Sequence, residues 1–167
     1  GRYWKIMFII DKSGSNADTA PDLQNGRRIT AIRDFFEKNK DNKYIKWGFI
    51  KFHDTGAESY IPDQEGPNRI FTSDTDLFQQ AMDQFSAEAD GGATPYRAAV
   101  QLTTSAVREE LKADNADGIT ANFNLIFITD GVPTDYSSDD QFHSDVEALV
   151  ALSPGNIHFS TVYYGPS

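Results

Sequence analysis

The chain contains the run Ile6-Met7-Phe8-Ile9-Ile10-Asp11, an unbroken apolar stretch closed by an aspartate. An apolar run of this length without alternation predicts a strand buried on both faces, as strands are in a parallel sheet covered by helices. The same form returns in the run Leu125-Ile126-Phe127-Ile128-Thr129-Asp130. We therefore expect two central strands of one sheet, each ending next to an aspartate.

Other segments of strand length lie between and after these two runs. Apolar residues alternate with polar ones over residues 44–52 and 157–162, which predicts two more strands. A turn-rich stretch followed by an apolar piece predicts a short edge strand at residues 69–71.

Helices are predicted between the strands from apolar residues at helical spacing. They follow Asn25-Gly26, Ser73, Pro95 and Ser138, and two of these starts carry a capping-box pattern, Ser73 with Asp76 and Ser138 with Gln141. Alternating strands and helices predict an α/β, Rossmann-like three-layer sandwich, with a central, mostly parallel sheet and helices on both faces. We expect residues 1–167 to form a single domain.

Composition narrows the classes of function. The 167 residues carry 15 Lys and Arg against 25 Asp and Glu, a formal net charge of −10 that repels nucleic acid and anionic lipid. The chain has no cysteine, which excludes disulfides, thiol nucleophiles and metal–thiolate sites. No stretch approaches the roughly 20 apolar residues that cross a bilayer. Cations are thus better candidate ligands than nucleic acid or membrane.

Three loops carry the candidate chemistry, and each is expected at the carboxyl end of the sheet, where open α/β sheets bind ligands. The first is Asp11-Lys12-Ser13-Gly14-Ser15-Asn16, the second Gly91-Gly92-Ala93-Thr94-Pro95, and the third Thr129-Asp130-Gly131. Carboxylate and hydroxyl oxygens are hard ligands that suit Mg²⁺, Mn²⁺ or Ca²⁺.

Together these loops resemble the metal-ion-dependent adhesion site of the von Willebrand factor A domain, in order and over nearly the whole chain. The resemblance implies one divalent cation, Mg²⁺ with Mn²⁺ or Ca²⁺ as alternatives, surrounded by Asp11, Ser13, Ser15, Thr94 and Asp130. It implies that the two aspartates act largely through bridging waters. A cation held mainly by neutral hydroxyls and water keeps part of its positive charge unbalanced, so it attracts one more anionic oxygen, from a Glu or Asp carboxylate of a partner protein.

The function that this resemblance implies is cation-dependent protein binding of the adhesion type, not catalysis. The motif brings no general base poised near neutral pH, no oxyanion hole and no phosphate cradle. We expect a monomeric isolated domain in an extracytoplasmic setting, such as a bacterial surface. Members of the family commonly carry a further helix and strand after the segment that ends here at Ser167, so we expect a domain that lacks them.

Two other classes of function stay open at this point. The chain could be a structural domain whose metal only orders loops. It could also be a phosphatase-like α/β hydrolase with Asp11 as nucleophile, although Ser13 stands where such enzymes place a second aspartate. Individually, Asp11 and Asp130 could be turn formers, and Thr94 could be an ordinary N-cap before Pro95.

Residues beside the three loops give further expectations. Asp135, Asp139 and Asp140 are expected to complement the N-terminus of the last helix, with a second cation site as the alternative. Tyr96 and Tyr136 are candidates for a rim that faces the partner, with inward packing as the alternative for Tyr96. Residues 54–68 are expected to form a specificity surface away from the metal.

Overall fold

The structure, a computed structural model, describes residues 2–13, 21–129 and 133–163, with side chains for all of these except 21–27. Within these residues the elements follow one another as β1 (Arg2–Asp11), α1 (Pro21–Asn39), β2 (Ile45–His53), β3 (Gly56–Ser59), α2 (Thr75–Ala87), α3 (Tyr96–Ala116), β4 (Thr120–Thr129), α4 (Asp139–Val150) and β5 (Ile157–Tyr163). None of the described helices combines the length and apolarity that a bilayer crossing requires.

The five strands form one sheet in the order β3-β2-β1-β4-β5. β1 is parallel to both of its neighbours, β5 is parallel to β4, and only β3 runs antiparallel, against β2. The chain leaves β1 towards β2 on one side and later returns to β4 on the other. At such a switch point, open α/β sheets bind their ligands at the carboxyl edge of the strands.

Two apolar clusters cover the two faces of the sheet. On one face Ile6, Phe8 and Ile10 pack with α1 and α2. On the other face Met7 and Ile9 pack with α3 and α4. Because successive side chains of a strand point to opposite faces, an unbroken apolar run can serve both clusters. The chain is thus an α/β three-layer sandwich with a mostly parallel sheet, as its sequence predicts.

The edge strand predicted at residues 69–71 is wrong. Ile70 and Phe71 are buried in the core, and beside them Thr72 forms only an isolated antiparallel bridge with Trp47. The edge strand is β3, which pairs with β2 through a tight hairpin in which Asp54 has a φ of 57°. A strand forms there because the hairpin brings it beside β2 locally, although its Gly-Ala-Glu-Ser sequence carries no apolar signal.

Helix starts agree with the predicted ones only in part. Ser138 is the N-cap of α4 as predicted, and its hydroxyl accepts from the N–H of Gln141. At α2 the N-cap is Asp74 instead of the predicted Ser73, because the Asp74 carboxylate accepts from two N–H groups of the first turn. α1 begins at Pro21, before the predicted start.

Candidate functional site

Three of the five predicted metal ligands lie in the described part of the chain. Asp11 ends β1 and is 0% exposed, as is Ser13, while Thr94 precedes α3 and is 7% exposed. Ser15 and Asp130 lie outside the described residues. The geometry of the site is therefore read from Asp11, Ser13, Thr94 and the groups that hold them.

A chain of hydrogen bonds joins the ends of β1 and β4 to the start of α3. Asp11 Oδ1 accepts from the N–H of Ser13 (2.7 Å), and Asp11 Oδ2 accepts from the hydroxyl of Thr129 (2.8 Å). The Thr129 hydroxyl is also 2.9 Å from that of Tyr96, two residues after Thr94. The structure thus brings the first and second predicted loops together, and the third approaches them through Thr129.

The loop that carries Thr94 is also fastened to β1 and β2. The N–H of Gly91 donates to the carbonyl of Lys12 (2.9 Å), and the N–H of Asp54 donates to that of Ala93 (3.0 Å). Gly92 has a φ of 78°, and a Cβ built on it would lie 2.7 Å from Asp54 Cα. Only glycine fits at this contact, which fixes the loop against the β2–β3 hairpin.

Thr134, which follows β4 in the sequence, holds the backbone of Thr94 through two hydrogen bonds. The N–H of Thr94 donates to Thr134 Oγ1 (3.2 Å), and the N–H of Thr134 donates to the carbonyl of Thr94 (2.9 Å). Pro95, not Thr94, occupies the N-cap position of α3. Within the described residues the Thr94 hydroxyl makes no hydrogen bond, so its oxygen is available as a ligand.

Asp135, which follows β4 in the sequence, caps the N-terminus of α3. Its two carboxylate oxygens accept from the N–H groups of Arg97 (2.9 Å) and Ala98 (3.0 Å). Pro95 itself offers no side-chain acceptor at this helix start. The prediction that Asp135 lies at the N-terminus of the last helix is therefore wrong. For Asp139 and Asp140 the prediction is confirmed, since both lie in the first turn of α4.

A buried charged cluster, formed by Lys12, Arg28 and Asp90, lies directly behind Asp11. Lys12 and Arg28 are each 2% exposed. Arg28 Nη2 donates to both carboxylate oxygens of Asp90 (3.1 and 3.0 Å), Lys12 Nζ is 3.5 Å from Asp90 Oδ1, and Arg28 Nη1 donates to the carbonyl of Asp11. Burial lowers the pKa of Lys12, and the charge of Arg28 adds to this, while that of Asp90 opposes it.

Aromatic and polar groups close this cluster on the side of α2. Lys12 Nζ lies 4.2 Å from the centre of the Phe85 ring and donates to the backbone carbonyl of Glu88 (2.6 Å). The Glu88 carboxylate accepts from Lys51 and Tyr60, each at 2.6 Å. Burial alone would raise the pKa of Glu88, but the hydrogen bonds from Lys51 and Tyr60 outweigh burial, so the pKa is lowered. The pKa of Tyr60 is raised by its burial and by its hydrogen bond to Glu88.

The donor set fits a hard divalent cation. Asp11, Ser13 and Thr94 offer a carboxylate and hydroxyl oxygens, which are Mg²⁺-type ligands. The described residues contain no group of three or more His, Cys, Asp and Glu side chains that could hold a metal. A cation here would rely on hydroxyl oxygens and water as well as on carboxylates.

Neither tyrosine of the predicted rim faces solvent. Tyr96 is 2% exposed and Tyr136 8%. Tyr136 donates to Asp145 Oδ2 (2.7 Å), and burial together with this bond raises its pKa. The rim prediction is wrong, and the inward alternative for Tyr96 is confirmed.

Solved structures share the fold of this chain, although no family model and no curated protein matches its sequence. The pilus adhesin SpaC from Lactobacillus rhamnosus GG is 20% identical, with a TM-score of 0.57, over 80% of this chain and 15% of that one. Proximal thread matrix protein 1 from the mussel byssus is 15% identical, with a TM-score of 0.62, over 98% and 38%. The manganese-loaded TRAP protein of Plasmodium vivax is 16% identical, with a TM-score of 0.52, over 98% and 58%. This chain therefore spans only part of each of these proteins.

Proposed function

We propose that this chain is a protein-binding module of the adhesion type that depends on a divalent cation. Asp11, Ser13, Ser15, Thr94 and Asp130 would hold the cation, which is Mg²⁺, or Mn²⁺ or Ca²⁺ in its place. The observation that carries the proposal is the hydrogen-bond chain from Asp11 through Thr129 to Tyr96, because it gathers the ends of two strands and the start of α3.

The residues of the site are suited to binding. Asp11 is oriented by donors on both of its carboxylate oxygens, so its position is set before any ligand arrives. Thr94 is held through both its N–H and its carbonyl, while its hydroxyl makes no hydrogen bond within the described residues. A bound cation would supply an electrophilic centre that accepts one more anionic oxygen. We infer recognition of a partner's Glu or Asp carboxylate, with no catalytic role.

The setting of the module is part of the same proposal. The pilus adhesin SpaC shares the fold and TRAP was solved with manganese, which favours an adhesive role on an extracytoplasmic surface. The net charge of −10 disfavours nucleic acid and anionic lipid as partners. We expect the isolated domain to be a monomer.

Metal binding is tested by titrating Mn²⁺ and following its electron paramagnetic resonance signal. Wild type is expected to bind Mn²⁺, and Asp11→Ala to lose at least tenfold in affinity because an oriented carboxylate is removed. Asp76→Ala is the matched control, since it removes an exposed acid from the first turn of α2 and should bind as wild type does. Equal affinity in wild type and Asp11→Ala would refute the site.

A loop-ordering metal is the second candidate, and the complete burial of Asp11 and Ser13 favours it. The two functions differ in whether the cation keeps an exchangeable position. Acetate is the simplest carboxylate probe: if the position is open, adding it displaces water from bound Mn²⁺ and lowers the proton relaxivity. Unchanged relaxivity at saturating acetate would favour the loop-ordering role.

A further inference from the structure

A cluster of buried charged side chains lies at the amino end of β1, where α3 covers the sheet. Lys5 Nζ donates to Asp114 Oδ2 (2.7 Å) and lies 3.3 Å from Glu110 Oε2. The Lys5 and Glu110 side chains are 1% exposed, and that of Asp114 is 9% exposed. The structure thus holds an amine against a carboxyl group inside the core, although the two residues are 109 positions apart in the sequence.

Glu110 is held beside this pair by a second cation. Arg69 Nε donates to Glu110 Oε2 (2.8 Å), and Arg69 Nη1 is also 3.8 Å from the exposed carboxylate of Glu65. Within the cluster, Lys5 and Arg69 therefore oppose Asp114 and Glu110, one positive charge for each negative one. If Lys5 and Asp114 lost their charges together, Arg69 would still be paired with Glu110.

We propose that Lys5 and Asp114 condense to form an amide cross-link, with Glu110 as the catalytic residue. Lys5 Nζ first passes a proton to Asp114 Oδ2, which gives a neutral amine and a neutral carboxylic acid. The nitrogen then attacks Asp114 Cγ and the N–C bond forms, while Glu110 accepts a proton from the nitrogen. Glu110 returns this proton to the departing hydroxyl group, the Cγ–Oδ2 bond breaks, and one water molecule leaves.

The surroundings favour this reaction over a lasting ion pair. Burial of two charges carries a desolvation cost that their attraction offsets only in part, and the condensation removes both charges. The fold holds the reacting groups together, which replaces a bimolecular encounter with a step inside one molecule. Phe123, whose ring centre is 5.7 Å from Lys5 Nζ, helps to keep bulk water away from the amine. The inference goes beyond the proposed function and does not depend on the cation site.

Intact mass spectrometry of the folded chain is the test, because the cross-link removes the mass of one water molecule. After incubation at neutral pH, wild type should be lighter than its sequence by this amount, whereas a sample kept in urea should retain the full mass. Lys5→Arg keeps the positive charge but should also retain the full mass. Glu110→Gln should lose water at least about tenfold more slowly, with circular dichroism as the check on folding.

Tryptic digestion locates the loss of water. The cross-link should join residues 3–12 to residues 113–167, since Lys5 is then no longer a cleavage site. Cyclisation at an Asp-Gly pair such as Asp117-Gly118 also removes one water, but it leaves these two peptides separate. The digest therefore distinguishes the proposed cross-link from this side reaction.

The exposed ion pair of Lys40 and Glu37 is the matched control within the same molecule. Its Nζ and Oε2 atoms are also 2.7 Å apart, but both side chains are in contact with water, so this pair should stay unlinked. Full mass in wild type after several days, or a water loss that digestion places elsewhere, would overturn the inference. If Glu110→Gln fails to fold, wild type decides alone; if it folds and loses water at the wild-type rate, the catalytic role of Glu110 is overturned.

Discussion

Asp135→Ala is expected to destabilise the fold, because Asp135 caps a helix to which it is not adjacent in sequence. The substitution removes two charge-assisted hydrogen bonds, to the N–H groups of Arg97 and Ala98. Loss of a capping acceptor costs about 1 kcal/mol, and loss of a negative charge at a helix N-terminus adds up to about 1 kcal/mol. We expect the free energy of unfolding to fall by about 2 kcal/mol, and the melting temperature by about 4–8 °C.

Urea unfolding followed by circular dichroism at neutral pH measures this change. Asp139→Ala is the matched control, because Asp139 also lies at a helix N-terminus but makes no described side-chain hydrogen bond there. It should cost no more than about 1 kcal/mol, which is the charge contribution alone. If the two variants lose the same stability, the capping role assigned to Asp135 is refuted.

Three further substitutions probe other parts of the structure. Lys5→Met leaves two buried acidic side chains of α3 without their lysine and should cost about 3–5 kcal/mol in urea unfolding; a loss under about 1 kcal/mol would contradict this. Gly92→Ala places a Cβ 2.7 Å from Asp54 Cα and should cost about 1–3 kcal/mol by the same assay, whereas an unchanged midpoint would show that the loop adapts easily. Tyr60→Phe removes a hydrogen bond to the carboxylate of Glu88 and should cost about 1.5–3 kcal/mol near neutrality. The pKa of Glu88 is lowered in the folded protein, so the stabilisation that its carboxylate gives is present above the ordinary pKa of 4.5 and is lost as the pH falls through the lowered pKa. The difference in the free energy of unfolding between Tyr60→Phe and wild type should therefore shrink at acid pH. A difference that does not change with pH would argue against this coupling.

The central strands could be predicted from sequence because burial on both faces leaves a direct mark. β1 and β4 read as apolar runs, and their neighbours in the sheet follow from the parallel α/β pattern. The run at residues 69–71 misleads because a buried connection needs the same apolar residues as a strand. β3 leaves no such mark, since its pairing is imposed by the preceding turn.

The candidate site was predictable to the extent that it depends on strand ends. Asp11 and Thr129 come together because β1 and β4 are parallel neighbours. The roles of Asp135 and Asp90 could not be predicted in this way, because each binds partners that lie far away in the sequence. An acidic residue in a loop looks the same in sequence whether it caps a distant helix, balances a buried cation or faces solvent. Only the folded arrangement distinguishes these roles.

The central place of β1 in the sheet has a consequence for synthesis on the ribosome. β1 pairs with β2 and with β4, but β4 is made long after β2. At about 5–20 residues per second, the nascent chain carries β1 with one open edge for several seconds. This edge belongs to an apolar strand, the kind of surface that pairs with other chains. Translation of the segment between β2 and β4 is therefore the interval in which the half-built sheet is exposed to pairing with other chains.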